Sequence, residues 1–181
     1  MKIIESDFIY KGYRCVTTFM DNGYRCGYVG LEKTHPLYGK DICDSIKATL
    51  KDIESNLLGK RSPILILKLL VSNFDEPISL DLYFDVHGGI TYADGNGKHP
   101  VESDLWWLGF DCGHAGDARD IKTLKMIWPD TERTQYLMND LTFEDDIVRT
   151  KGYVQEECKS LVDQIVEYCE KYEKETVWKH I

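Results

Sequence analysis

The sequence predicts an α+β domain: a mostly antiparallel sheet with an N-terminal hairpin, one mid-chain helix and a long C-terminal helix packed on it. Three observations point there. Segments rich in Tyr, Val, Thr and Phe follow one another through the first two thirds of the chain, punctuated by Gly, Asn and Pro. An apolar stripe with helical spacing occupies residues 153–173. The 181 residues, 43% of them apolar and 12% aromatic, have the size of one ordinary domain and can fill its core. With no repeat and no linker, residues 1–181 read as a single domain.

Residues 8–31 are interrupted at Asp21-Asn22-Gly23, and Asn-Gly accepts the positive φ angles of a type I′ hairpin turn. Pro36 and Gly39 mark a loop. A helix is expected over residues 42–57, where Ile42, Ile46, Leu50, Ile53 and Leu57 recur at threes and fours and Gly59 supplies a stop. The apolar run 64–71 reads as a buried strand. Leu80, Leu82, Phe84 and Val86 then alternate with Ser79, Asp81, Tyr83 and Asp85, which predicts a strand with one core face and one polar face. After Gly88-Gly89 a strand resumes at Ile90-Thr91-Tyr92, and residues 105–110 form another of unusual aromatic weight. Residues 118–150 show no sustained period and are expected to be an irregular insertion with short helical turns. Val154, Cys158, Leu161, Val162, Ile165, Val166, Cys169 and Tyr172 draw one stripe on the final helix.

The charge balance, 22 Lys+Arg against 31 Asp+Glu for a net −9, disfavours generic binding to phosphate backbones. The run 64–71 already carries Lys68 and falls far short of the ~20 residues a bilayer span needs. Glu5 and Asp7 interrupt any N-terminal signal region, so a cytoplasmic protein without a membrane partner is expected. Its six cysteines are expected to be reduced. Cys158 and Cys169 lie about 16 Å apart along one helix. Cys15 and Cys26 sum to 41, whereas a two-residue turn at 22–23 opposes residues that sum to 45.

The chemistry concentrates between Asp85 and Asp117. Asp85-Val86-His87-Gly88-Gly89 closes one strand with a polar face; a second strand end supplies Asp111, Cys112, His114 and Asp117 among glycines that allow tight turns or close approach to a ligand. Three readings compete. His87, Asp111 and His114, with Asp85 or Asp117 as a further ligand or base, suit a divalent Zn, Mn or Fe ion, and the same three are the candidate catalytic residues. Cys112 with a histidine base suits a thiolate nucleophile. Gly88, Gly89 and an aromatic wall at Trp107 suit a bound nucleotide-like molecule, Trp106 and Trp107 pointing to opposite sheet faces. Each has a structural alternative: strand-end histidines serve as satisfied donors, and Cys112 as a small core hydrophobe. Glu32 and His35 read as surface, His99 as part of a turn and His180 as a chain end.

These residues carry a resemblance. Val86-His-Gly-Gly-Ile-Thr-Tyr92 and Trp106-Trp-Leu-Gly-Phe-Asp-Cys-Gly-His-Ala-Gly-Asp117 resemble the core of a family carried by bacteriophages and integrated mobile elements of Gram-positive bacteria, which usually has alanine where Gly113 stands. Residues 27–31 with His35-Pro36, and 153–158, extend it in patches. The resemblance implies a genetic setting and no mechanism. By analogy it suggests a small accessory protein that counters host defence, either as a metal-assisted hydrolase of a phosphorylated or nucleotide-like molecule, as a non-catalytic protein that sequesters such a ligand, or as a protein-binding inhibitor.

Overall fold

A computed structural model describes residues 1–49, 52, 76–129, 135–137 and 145–172. Its centre is a five-stranded, wholly antiparallel sheet of an α+β fold. The strands are β1 (Lys2–Tyr10), β2 (Tyr13–Met20), β3 (Arg25–Leu31), β6 (Tyr92–Asp94) and β7 (Trp106–Asp111), in the order β1-β2-β3-β7-β6.

The N-terminal region is therefore a three-strand meander with two turns of different kinds. The two-residue turn lies at Lys11-Gly12, where both residues have positive φ, 46° and 87°. Lysine seldom adopts that conformation, so composition does not signal the turn. At the Asn-Gly site only Gly23 has positive φ, at 85°, and Asn22 Oδ1 instead accepts from the Tyr24 N–H at 3.2 Å. The connection is longer than a type I′ pair, so opposed residues sum to 44. Cys15 faces Val29 and Cys26 faces Thr18, and all six cysteines are free.

Beside the sheet, β4 (Ser45–Thr49) pairs with β5 (Pro77–Ser79), and one helical turn, α1 (Leu80–Tyr83), follows. Two expectations are corrected here. Residues 45–49 of the expected 42–57 helix are strand, with Ile46 and Ala48 alternating into the core. The expected strand through Leu80, Leu82, Phe84 and Val86 starts as helix. Leu80 and Phe84, both fully buried, are four apart, a spacing that shares a face in either period. Ile42 and Cys43 form a turn ahead of β4, while residues 50–57 of the expected helix, Asp52 apart, and the 64–71 strand lie outside the described residues.

Within 118–150 the described residues are not wholly irregular. The two-residue β8 (Asp117–Ala118) runs parallel to β9 (Ile147–Val148), and α2 (Ile121–Ile127) is capped by Asp120, whose carboxylate accepts from the Thr123 N–H at 2.9 Å. The long α3 (Lys151–Tyr172) begins where the Thr150 hydroxyl accepts from the Tyr153 N–H. Its buried stripe of Val154, Cys158, Leu161, Val162, Ile165 and Tyr168 packs with Cys15, Val29, Leu31, Leu108 and Phe110 of the sheet in the main core. On the opposite face Val16, Tyr28 and Trp107 form a smaller cluster with Val101 and Leu105, which belong to the β6–β7 connection. Phe19, Leu124 and Leu137 make a third. Among the described residues no helix is long and apolar enough to cross a membrane.

Candidate functional site

Two loops at one end of the sheet meet the start of α3. The first is the turn after Val86, where the Gly89 N–H reaches the Val86 carbonyl at 2.9 Å and Gly88 and Gly89 both have positive φ. The second follows β7. Its base is anchored by the Cys112 N–H on the Arg25 carbonyl, and its end returns through the Asp117 N–H to the His114 carbonyl, 2.9 and 3.0 Å.

At the centre is the Asp117 side chain, 1% exposed. One carboxylate oxygen accepts from Arg149 Nε at 2.7 Å; the other lies 2.7 Å from His87 Nε2 and accepts from the His114 N–H at 3.0 Å. Burial alone would push this carboxyl up, but Arg149, His87 and the His114 N–H outweigh it and hold it below the usual carboxylate range. Asp117 is thus an ionised acceptor, which makes His87 Nε2 a donor. In neutral His87 the other nitrogen is then an acceptor, and it lies 3.0 Å from the Tyr153 hydroxyl, whose proton it receives. A directed chain results, from Tyr153 O–H to His87 to Asp117, with Arg149 closing the far end and its guanidinium 5.1 Å from the Tyr153 ring centre. Burial pushes Tyr153 up to about 12, so the resting phenol keeps its proton. The His87 backbone N–H is held by Glu157 at 2.9 Å, one helical turn beyond Tyr153.

His114 stands beside this chain, its ring 5.6 Å from that of His87. Its Nε2 is buried, 3.6 Å from Asp111 Oδ1, and has no hydrogen-bond partner among the described residues. The ring occupies the place of a side chain at residue 88: a Cβ there would lie 1.9 Å from His114 Nε2. Gly88 is required on this count and by its φ of 70°. Asp111 sits at the rim, accepting from the Thr91 hydroxyl and the Gly113 N–H.

Of the residues singled out from sequence, the structure thus gathers His87, His114 and Asp117 around Gly88, with Asp111 at the edge and Gly89 in the turn. Trp107 is not among them. It is 1% exposed on the opposite sheet face, where its Nε1 donates to Ser103 Oγ at 3.0 Å. Cys112 is also 1% exposed, and burial together with Asp117 and other neighbours pushes its thiol well above the usual range, which does not fit a thiolate nucleophile. Among the described residues no group of three or more His, Cys, Asp or Glu side chains is arranged to hold a metal ion, and both ring nitrogens of His87 are engaged with Tyr153 and Asp117.

Sequence reasoning missed Tyr153, Glu157 and Arg149. Tyr153 and Glu157 fall in the 153–158 patch of the resemblance and have the i, i+4 spacing of one helix face, and neither signal assigns them to the site. Arg149 lies in the stretch without period. His99 and His35 also have partners that their loop positions concealed. His99 bridges Lys2 and Tyr28, while His35 accepts from the Leu37 N–H and faces Tyr13 and Cys169. No protein-family model, curated protein or solved structure matches the chain.

Proposed function

We propose that Tyr153, His87 and Asp117 form a metal-independent proton relay, and that the protein uses it for acid–base chemistry on a small molecule held beside His114 and Asp111. One observation carries this reading: a fully buried, ionised carboxylate orients an imidazole onto a phenol that remains partly open to solvent. In such a chain the Tyr153 oxygen takes a proton from a bound molecule as its own proton passes to His87 Nδ1, and Asp117 stabilises the imidazolium that forms. The resemblance to phage and mobile-element proteins supports an accessory role and leaves the substrate open.

A second reading is favoured by the hydrogen bonds that engage both ring nitrogens of His87 and both carboxylate oxygens of Asp117. On that reading the chain braces α3 against the two loops, and the molecule beside it is retained unchanged. Incubation of the protein with a bacterial metabolite extract, followed by mass spectrometry, separates the two. Under the relay reading a compound disappears with wild-type protein, and its turnover falls about 10²-fold or more in Tyr153→Phe, which keeps the packing but removes the outer proton. Retention without turnover supports sequestration instead, and equal turnover by both proteins contradicts the relay.

A further inference from the structure

Regulation of the same site follows from the segment that crosses its buried end. We infer that residues 147–149 form a detachable strap: it lifts while the sheet and α3 stay folded, and when it lifts water reaches the contact between Asp117 and His87. As a gate on proton transfer the strap rests on the relay reading above; as a local opening it does not.

The strap lies directly against the residue that orients His87. In the parallel ladder of β8 and β9, Asp117 is opposite Ile147, and the Ile147 N–H donates to the Gly116 carbonyl at 2.9 Å. Two residues on, Arg149 Nε donates to Asp117 Oδ1 at 2.7 Å, and the Arg149 carbonyl accepts from Arg25 Nη1 at 3.1 Å. Arg25 is also paired with Glu5 and Asp120, which fixes it to β1 and to the cap of α2, so the base on which the strap rests does not travel with it. With the strap down, the Asp117 side chain is 1% exposed.

What holds the strap is polar. Ile147 and Val148, its apolar side chains, are 55% and 37% exposed and join none of the buried clusters among the described residues. The elements around it differ, since α3 buries Val154, Cys158, Leu161 and Ile165 and β7 buries Trp107, Leu108 and Phe110. A segment without buried apolar surface opens at a lower free energy than elements that the hydrophobic effect stabilises. The Arg149–Asp117 pair is the latch, because separating it leaves the carboxylate to be met by water instead. Opening therefore has a specific consequence at the site: water takes the place of Arg149 on Asp117 and competes for the His87 Nε2–H.

The test is hydrogen exchange of the intact protein, followed by NMR over a range of urea below the unfolding transition. The Ile147 N–H is expected to exchange about 10²-fold faster than those of Leu108 and Ile165, with little dependence on urea, which marks a local opening. In Arg149→Gln the Ile147 N–H and the His87 Nε2–H should both exchange at least tenfold faster than in wild type, while Leu108 and Ile165 stay protected. Ile147→Pro, at an exposed side chain, removes the bond to Gly116 and leaves Arg149 in place. It should hasten the His87 Nε2–H in the same sense, and it carries the test if Arg149→Gln does not fold. Ile147 protection equal to that of Leu108, or a His87 Nε2–H indifferent to the substitutions, overturns the inference. Failure of the relay shows separately in the same spectra, as a bare Nε2 with the proton on Nδ1, whatever the Ile147 exchange.

Discussion

Two histidines flank the same sheet, and each shares a hydrogen bond with a tyrosine hydroxyl. On the α3 side His87 joins Tyr153 at 3.0 Å; on the other side His99 joins Tyr28 at 2.9 Å. What differs is the group on the second ring nitrogen. For His87 it is the Asp117 carboxylate at 2.7 Å, for His99 the Lys2 ammonium at 2.8 Å. A carboxylate only accepts and an ammonium only donates, so the phenol takes opposite roles: Tyr153 donates to its histidine, and Tyr28 accepts from His99 Nε2–H. The group beside His87 is an anion. Proton gain by His99 is opposed by burial and by Lys2, which together lower its pKa. The comparison teaches that a His–Tyr pair has no fixed function; its third partner decides whether it can carry a proton.

The strongest way to break the difference is to remove that partner. Asp117→Ala leaves His87 and Arg149, whose side chain is 25% exposed, without their acceptor, and should cost about 3 kcal/mol in a denaturant titration, at the low end for a broken buried pair because Arg149 keeps some water. On the other side Lys2→Met removes a donor that solvent partly replaces. It should cost less than about 1 kcal/mol while returning the His99 titration toward the usual value near 6.5, read from its ring protons.

Gly88→Ala comes next. The new Cβ falls on His114 Nε2 and the backbone has to hold a left-handed conformation, so a loss of about 2 kcal/mol and a displaced His114 ring signal are expected. A variant as stable as wild type, with His114 unmoved, contradicts the packing of the two loops.

Acid sharpens the contrast through the sign of each shift. The His99 pKa is lower folded than unfolded, so the unfolded chain takes up a proton first and stability falls as pH drops below about 6.5. The pKa of Asp117 is also lowered on folding. Its contribution is complete above the unfolded value near 4 and is lost only as pH falls below that. Denaturant midpoints between pH 7 and 3 should therefore show two separate declines, and Lys2→Met should diminish the first alone.

The two tyrosines differ in the same sense. Tyr28→Phe removes the acceptor of the His99 Nε2–H from a buried side chain, for about 1–2 kcal/mol, whereas Tyr153→Phe removes a donor from a partly exposed side chain, for less than about 1 kcal/mol. A larger stability loss in Tyr153→Phe than in Tyr28→Phe would favour the bracing role over the relay.

Much of the fold was legible because its signals had a single period. The α3 stripe admits only a helix, and the aromatic run of β7 only a strand. Leu80 and Phe84 are four apart and fit both periods, so tertiary packing chose the helical turn. At the first hairpin a lysine took a conformation its type disfavours, and a longer loop at Asn22-Gly23 moved the register of β2 and β3 by one. The site was half legible. His87, His114 and Asp117 sit on glycine-rich strand ends that advertise a tight arrangement. Tyr153, Glu157 and Arg149 enter it only because α3 docks its first turn over those loops, a relation that no local pattern encodes.

The central claim is the direction of the hydrogen bonds at His87, and the ring nitrogens report it directly. In a ¹⁵N spectrum of neutral His87 the account predicts a protonated Nε2 and a bare Nδ1 hydrogen-bonded by Tyr153, with the Nδ1 signal moving toward that of a free acceptor in Tyr153→Phe. A protonated Nδ1, or a spectrum indifferent to the loss of the Tyr153 hydroxyl, contradicts it.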